Sequence, residues 1–251
     1  MTYSGADMSQ SSLAALLQLE VPPVAIAFVD TPPAGVPRVS SPEPAGCGYW
    51  RRAADGEVFF TLAEDHTGCP VGAHTHRVPL TAPERDELMG LVKTMVDLSY
   101  LKMADVPKIA QRATPLQVAV YSPLTLAPTR PDVVLVRSTP RQLMLLAEAA
   151  ESAGISGAAP AMGRPTCAVL PESINAGRTA VSFGCVGNRV YTGATDNEAY
   201  FAIPGQHLAA LQTSLEIIVR ANQSLEQFHQ ARARACAARH PRTPRELAHR
   251  R

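Results

Sequence analysis

Six short apolar runs limit what this chain can fold into: PVAIAFVD (23–30), EVFFTL (57–62), LQVAVYSPL (116–124), PDVVLVRS (131–138), TAVSFGC (179–185) and AYFAIP (199–204). Each is rich in β-branched or aromatic residues and is bounded by proline, glycine or aspartate, the pattern of a strand. PVAIAFVD shows no polar alternation, which suits a strand buried on both sides. The runs come in pairs and outnumber a simple alternation of strand and helix. The expected fold class is therefore α+β, with a mixed or antiparallel sheet.

Helical periodicity fills the intervals. Ser9 to Leu19 places Leu13, Leu16 and Leu17 at helical spacing, and Pro22 and Pro23 end the segment. Ala82 to Ala110 carries Leu88, Leu91, Val92, Met95, Val96 and Leu98, with Pro83 at an early helical position. Thr139 and Pro140 open RQLMLLAEAAESAG, which Gly154 closes. Gly205 to Ala238 reads as one long C-terminal helix with Leu208, Leu211, Leu215, Ile218 and Leu225 near one side. Between the strands, Thr31 to Gly46 is a proline-rich, ordered loop. No repeat or linker divides the chain, so one domain is expected over 1–240, followed by a basic, flexible tail at 241–251.

Apolar residues make up 46 % of the 251 residues, enough to bury a sizeable core. The net charge of +1 gives no global field to attract nucleic acid or an anionic membrane. The arginine-rich end from Gln230 reads as a solvated terminus before it reads as a nucleic-acid arm. No basic stretch followed by an apolar core opens the chain, and no apolar run reaches the ~20 residues that span a bilayer. A cytoplasmic setting is expected, where cysteines stay reduced.

The stretch DHTGCPVGAHTH (65–76) gathers Asp65, His66, Cys69, His74 and His76, and so holds three of the seven histidines. Cys69 has counterparts: Cys47 in AGCGYWRRA, Cys167 in GRPTCAVL and Cys185 in SFGCVGNRVY, each beside or near glycine or proline. Four thiolates complement an iron–sulfur cluster or a structural zinc. The gaps of 22, 98 and 18 residues contain no CxxC pair, so the four must converge through the fold. The plain alternative is four small apolar fillers, since free cysteine is among the most buried residue types. Cys236, among alanines and arginines, reads as a bystander.

His74 and His76 are two apart, and in an extended segment both would face the same side. With Cys69, and Asp65 or His66, they would form a mononuclear zinc or iron site. Otherwise they serve as proton donors beside a cluster. His66 by itself reads as a surface or hydrogen-bonded loop residue. Arg51, Arg52 and Arg189 lie a few positions beyond a cysteine, where they would balance cluster charge or bind an anion. Asn188 and Glu198 are near enough to join the same site, though nothing local demands it.

The order PVAIAF, C-x-x-x-R-R-A (47–53), C-x-x-G (69–72), PDVVLV with its proline and MLL helix, Cys167, S-F-G-C-x-G-x-R (182–189) and E-x-x-x-x-I-P (198–204) resembles a known family. It is the uncharacterised prokaryotic domain of unknown function 169, over about residues 19–211. The resemblance implies no activity. It selects Cys47, Cys69, Cys167 and Cys185 and leaves Cys236 and the tail outside.

The expected function is an iron–sulfur protein, [4Fe–4S] in preference to [2Fe–2S]. Cys47, Cys69, Cys167 and Cys185 are the ligands, with Arg51 and Arg189 around the cluster and His74 and His76 as proton donors. It would transfer electrons, or reduce a small anionic substrate if one iron stays open. Its partners would be an electron-transfer protein, a small anion or a second copy of the chain, with no membrane. The alternatives are the mononuclear site at Cys69, His74 and His76, and a non-enzymatic small-molecule binder with buried cysteines. A Cys69 nucleophile with His66 or His74 ranks below the metal readings. The usual signals of phosphate loops, dinucleotide fingerprints, nucleophile elbows and HExxH zinc sites are absent.

Overall fold

The structure, a computed structural model, describes residues 10–155, 157 and 165–239. All six expected strands form: β1 (Val24–Val29), β2 (Phe59–Leu62), β3 (Val118–Pro123), β4 (Val133–Ser138), β5 (Ala180–Ser182) and β6 (Ala199–Pro204). They make one sheet in the order β2-β3-β1-β4-β6-β5, and every neighbouring pair is antiparallel. The fold is α+β, as the pairing of apolar runs implies.

Side chains alternate across this sheet with the two-residue period of extended backbone. Val24, Ile26, Ala119, Tyr121, Val133, Leu135, Tyr200 and Ala202 enter one core. Ala25, Val134, Val136, Phe201 and Ile203 enter the other. Helices cover both faces, so the strands are apolar at nearly every position rather than at every second one.

The second core is closed by α1 (Gln10–Leu17), α5 (Pro140–Ser152) and α8 (Leu208–Arg239). Thr139 caps α5 by accepting from the Gln142 backbone N–H, and the Gln142 side chain accepts from the Thr139 N–H at 2.8 Å. Leu208, Leu211, Leu215 and Val219 anchor the first half of α8, and its second half runs out into solvent.

The first core is closed by short helices: α2 (Gly48–Ala54), α3 (Pro70–His76), α6 (Val169–Ala176) and α7 (Val186–Thr192). The sequence expectation names no helix in these segments. Helical periodicity over Ala82 to Ala110 overreaches. The helix α4 covers Ala82–Asp97, and Ser99 at φ 56° then turns the chain so that Tyr100 N donates to Met95 O. A 3-10 turn at Met103–Lys108 contains Pro107, which cannot continue an α-helix. Among the described residues no helix is long and apolar enough to cross a membrane. The expected tail at 241–251 lies outside the described residues.

Candidate functional site

All four selected cysteines lie where a short helix begins on the first face of the sheet. Cys47, Cys69 and Cys185 are the residues immediately before α2, α3 and α7. Cys167 sits in the 3-10 turn Thr166–Ala168 that leads into α6. Pro70 suits the first position of α3, where its missing N–H has no helical partner. The Gly72 N–H then donates to Cys69 Sγ at 3.4 Å.

Cross-links hold the four starts together. The Cys185 N–H donates to the Thr166 hydroxyl at 2.6 Å. Thr75, buried on α3, donates its hydroxyl to Gly72 O at 2.8 Å and hydrogen-bonds the Cys167 thiol. The loop before Cys47 packs closely on α3: a Cβ on Gly72 would meet Cys69 Sγ at 3.6 Å and Gly46 N at 3.9 Å.

The thiols converge. A negative charge on Cys69 or Cys185 pushes up the pKa of Cys47, and one on any of those three pushes up that of Cys167. Cys69 likewise feels Cys185. Burial is the larger effect: it raises Cys47 to about 12 and drives Cys69 and Cys167 upward as well. Near neutral pH these three are therefore thiols and poor nucleophiles. Cys236 is exposed on α8, apart from the group.

Asn188, on the first turn of α7, is 1 % exposed, yet neither its amide oxygen nor its amide nitrogen has a well-aligned partner. It lies beside the Cys47 thiol and the Tyr200 hydroxyl. Tyr200 donates to Thr192 Oγ1 at 2.8 Å, so its own proton is engaged elsewhere. Gly184, at φ +85°, adopts a left-handed conformation that leaves room for this amide, because a Cβ there would stand 3.3 Å from Asn188 Oδ1.

The histidines are distributed differently from the extended-segment expectation. His74 and His76 are on α3, where residues two apart diverge by roughly 200°. His74 meets Gln111 Nε2 at 3.0 Å on the outside. His76 is buried against His66, with ring centroids 5.3 Å apart. His66 is also buried rather than on a surface loop, and its Nε2 is 2.8 Å from the Thr61 hydroxyl. Thr61 donates its own proton to Ala119 O, so Nε2 is the donor in that contact and Nδ1 keeps a bare lone pair facing Gly46. Burial lowers all three imidazoles, His66 to about 3.

Other expected contributors have structural partners. Asp65 pairs with Arg38 at 2.8 Å and accepts from Leu62 N. Arg51 is exposed, 3.7 Å from Asp55. Arg52 pairs with Glu57 and Glu43. The Arg189 guanidinium donates to the carbonyls of Phe183, Thr195 and Glu198 and so fastens the loop between α7 and β6 to the segment before Cys185. Glu198 pairs with Arg137 at 2.7 Å. Among the described residues no three His, Cys, Asp or Glu side chains stand close enough to hold a single metal ion. A groove of about 460 Å³ on α4, lined by Met89, Gly90, Lys93, Val96 and Met103, lacks thiols, and Lys93 is paired with Asp97.

Sequence reasoning chose the four cysteines but missed Thr75 and Thr166 and gave Asn188 only a passing place. No curated protein and no solved structure matches the chain. A family model does match, over residues 12–213, and this span includes all four converging cysteines. The chain belongs to the family DUF169, described as an uncharacterised ArCR.

Proposed function

We propose that this protein binds an iron–sulfur cluster, [4Fe–4S] in preference to [2Fe–2S], through Cys47, Cys69, Cys167 and Cys185, and works in electron transfer. The observation that carries this reading is the mutual proximity of four thiols drawn from four distant segments. Independent filling of loops by small side chains gives no reason for such a gathering.

The donor set fits the group. About a single tetrahedral zinc, with Zn–S near 2.3 Å, sulfurs lie about 4 Å apart. A cubane spreads its four ligands wider, because each thiolate takes a different iron at a different corner. Thiols that sense one another without forming a compact metal-ion site suit the wider arrangement. The buried amide of Asn188 supports the same reading, since it turns toward the Cys47 thiol yet has no well-aligned partner, and a buried polar group so placed is costly without a ligand to meet it. When bound, the cluster would supply one-electron redox chemistry at a potential set by its surroundings.

Within that reading the chain's residues have distinct tasks. Burial keeps Cys47, Cys69 and Cys167 protonated until metal displaces the protons, so loading releases acid. Thr75 and Thr166 hold Cys167 and Cys185 in register. Neutral His66 and His76 add no charge beside the site. Arg51 and Arg189 are engaged outside the thiol group, which favours electron transfer over binding of a small anion. The divergence of His74 and His76 on α3 likewise favours the four-cysteine set over the mononuclear site.

The test is anaerobic reconstitution with ferrous iron and sulfide for wild type and for single alanine variants of all five cysteines. Loss of bound iron and visible absorption is expected at Cys47, Cys69, Cys167 and Cys185, with no change at Cys236. Wild-type iron retention in the four single variants would overturn the proposal.

A further inference from the structure

Asn188 has an environment that its place in the metal-free fold does not explain. It lies at the third position of α7, three residues after Cys185, and its side chain is buried between the start of α2 and β6. Its backbone carbonyl is engaged, accepting from the Thr192 hydroxyl at 2.7 Å. The side-chain amide reaches the Cys47 thiol and the Tyr200 hydroxyl only in poorly aligned hydrogen bonds, and its Oδ1 has no partner. Leaving a buried polar group unsatisfied typically costs about 1–3 kcal/mol, and an apolar side chain of similar size would avoid that cost.

The direction of the amide can be read from its neighbours. Oδ1 is the atom nearest the space above Gly184, at 3.3 Å from an ideal Cβ there. This leaves the NH2 group on the side of Cys47 and Tyr200. Tyr200 can accept one N–H, since its own proton goes to Thr192. The other N–H faces the thiol group. Thiolate and sulfide sulfurs are acceptors, and each accepted hydrogen bond favours the more negative, reduced state of a cluster.

We infer that Asn188 is a positioning residue of the thiol site, which donates an amide N–H to sulfur at Cys47 and thereby sets the reduction potential of a bound cluster. This rests on the cluster reading above and adds the residue that tunes it. No bond is made or broken by Asn188. It holds a donor dipole, fixed by Tyr200 on one side, where charge increases when the cluster takes up an electron.

The test uses the whole chain, reconstituted anaerobically with iron and sulfide, in wild type, Asn188→Leu and Asn188→Gln. Unfolding of the metal-free proteins is measured alongside the reduction potential of the loaded ones. Asn188→Leu is expected to leave metal-free stability unchanged or raised and to make reduction about tenfold less favourable, a fall of about 59 mV for one electron. Asn188→Gln, which keeps a donor, is expected to recover part of that fall. If Asn188→Leu folds but loads no cluster, Asn188→Gln carries the measurement, and a potential equal to wild type there together with restored loading still supports the donor role. A loaded Asn188→Leu with wild-type potential would overturn the inference and leave the cluster standing. A wild-type chain that takes up no iron or sulfide would overturn the cluster reading itself.

Discussion

The backbone N–H of Cys185 donates to the Thr166 hydroxyl at 2.6 Å, which joins the start of α7 to the turn that carries Cys167. Two cysteines 18 residues apart in sequence are thus placed by one part-buried hydrogen bond. Thr166→Val keeps the shape of the side chain but removes the acceptor. It is expected to cost about 1 kcal/mol, because a part-buried N–H loses its partner. Thr166→Ser is expected to recover most of that loss. Denaturant unfolding of the metal-free protein measures the cost, and iron release to a chelator measures the effect on the site. A valine variant equal to wild type in both would contradict the role given to this contact.

His66 makes stability sensitive to acid. Burial holds its imidazole neutral and lowers its pKa from 6.5 to about 3. Between those values the unfolded chain takes a proton that the folded chain refuses, so stability falls as pH drops from about 6.5 toward 3. At pH 5 the loss from this one residue is about 2 kcal/mol. His76, also lowered by burial, acts in the same direction. A His66→Gln variant is expected to flatten the stability profile between pH 6.5 and 4. Parallel profiles for variant and wild type would refute the assignment.

Cys47 has the opposite pH dependence. Its pKa rises from 9.0 to about 12 on burial, so its contribution is complete below about pH 9 and is lost as pH rises toward 12. Cys69 and Cys167 are raised in the same direction. In the metal-free protein, Cys47→Ala is expected to reduce the alkaline loss of stability without abolishing it. Tyr49, Tyr121 and Tyr200 are also raised by burial and lose stability in the same direction at high pH. An unchanged slope above pH 9 in Cys47→Ala would place the thiol in a more polar setting than the structure does.

The strands were legible in the sequence because burial on both faces turns them into continuous apolar runs between prolines. PVAIAFVD and PDVVLVRS become the adjacent strands β1 and β4, with Val24 opposite Leu135. The short helices were not legible. Those of seven or eight residues complete about two turns, too few for a 3.6-residue period to emerge among glycines and prolines. The available signals were positional: Pro70 just inside α3, and Gly177 and Gly193 just beyond α6 and α7 at φ +59° and +67°. Missing α3 is what placed His74 and His76 on one side. The burial of Asn188 depends on α7 packing toward α2 and β6, and nothing in VGNRVY encodes that contact locally.

The most direct measurement is the iron, zinc and acid-labile sulfide content per chain of protein purified without oxygen. Iron and sulfide near about four each, with little zinc, are expected for a [4Fe–4S] cluster on Cys47, Cys69, Cys167 and Cys185. Protein that contains neither iron nor sulfide, or that holds zinc without sulfide, would contradict it.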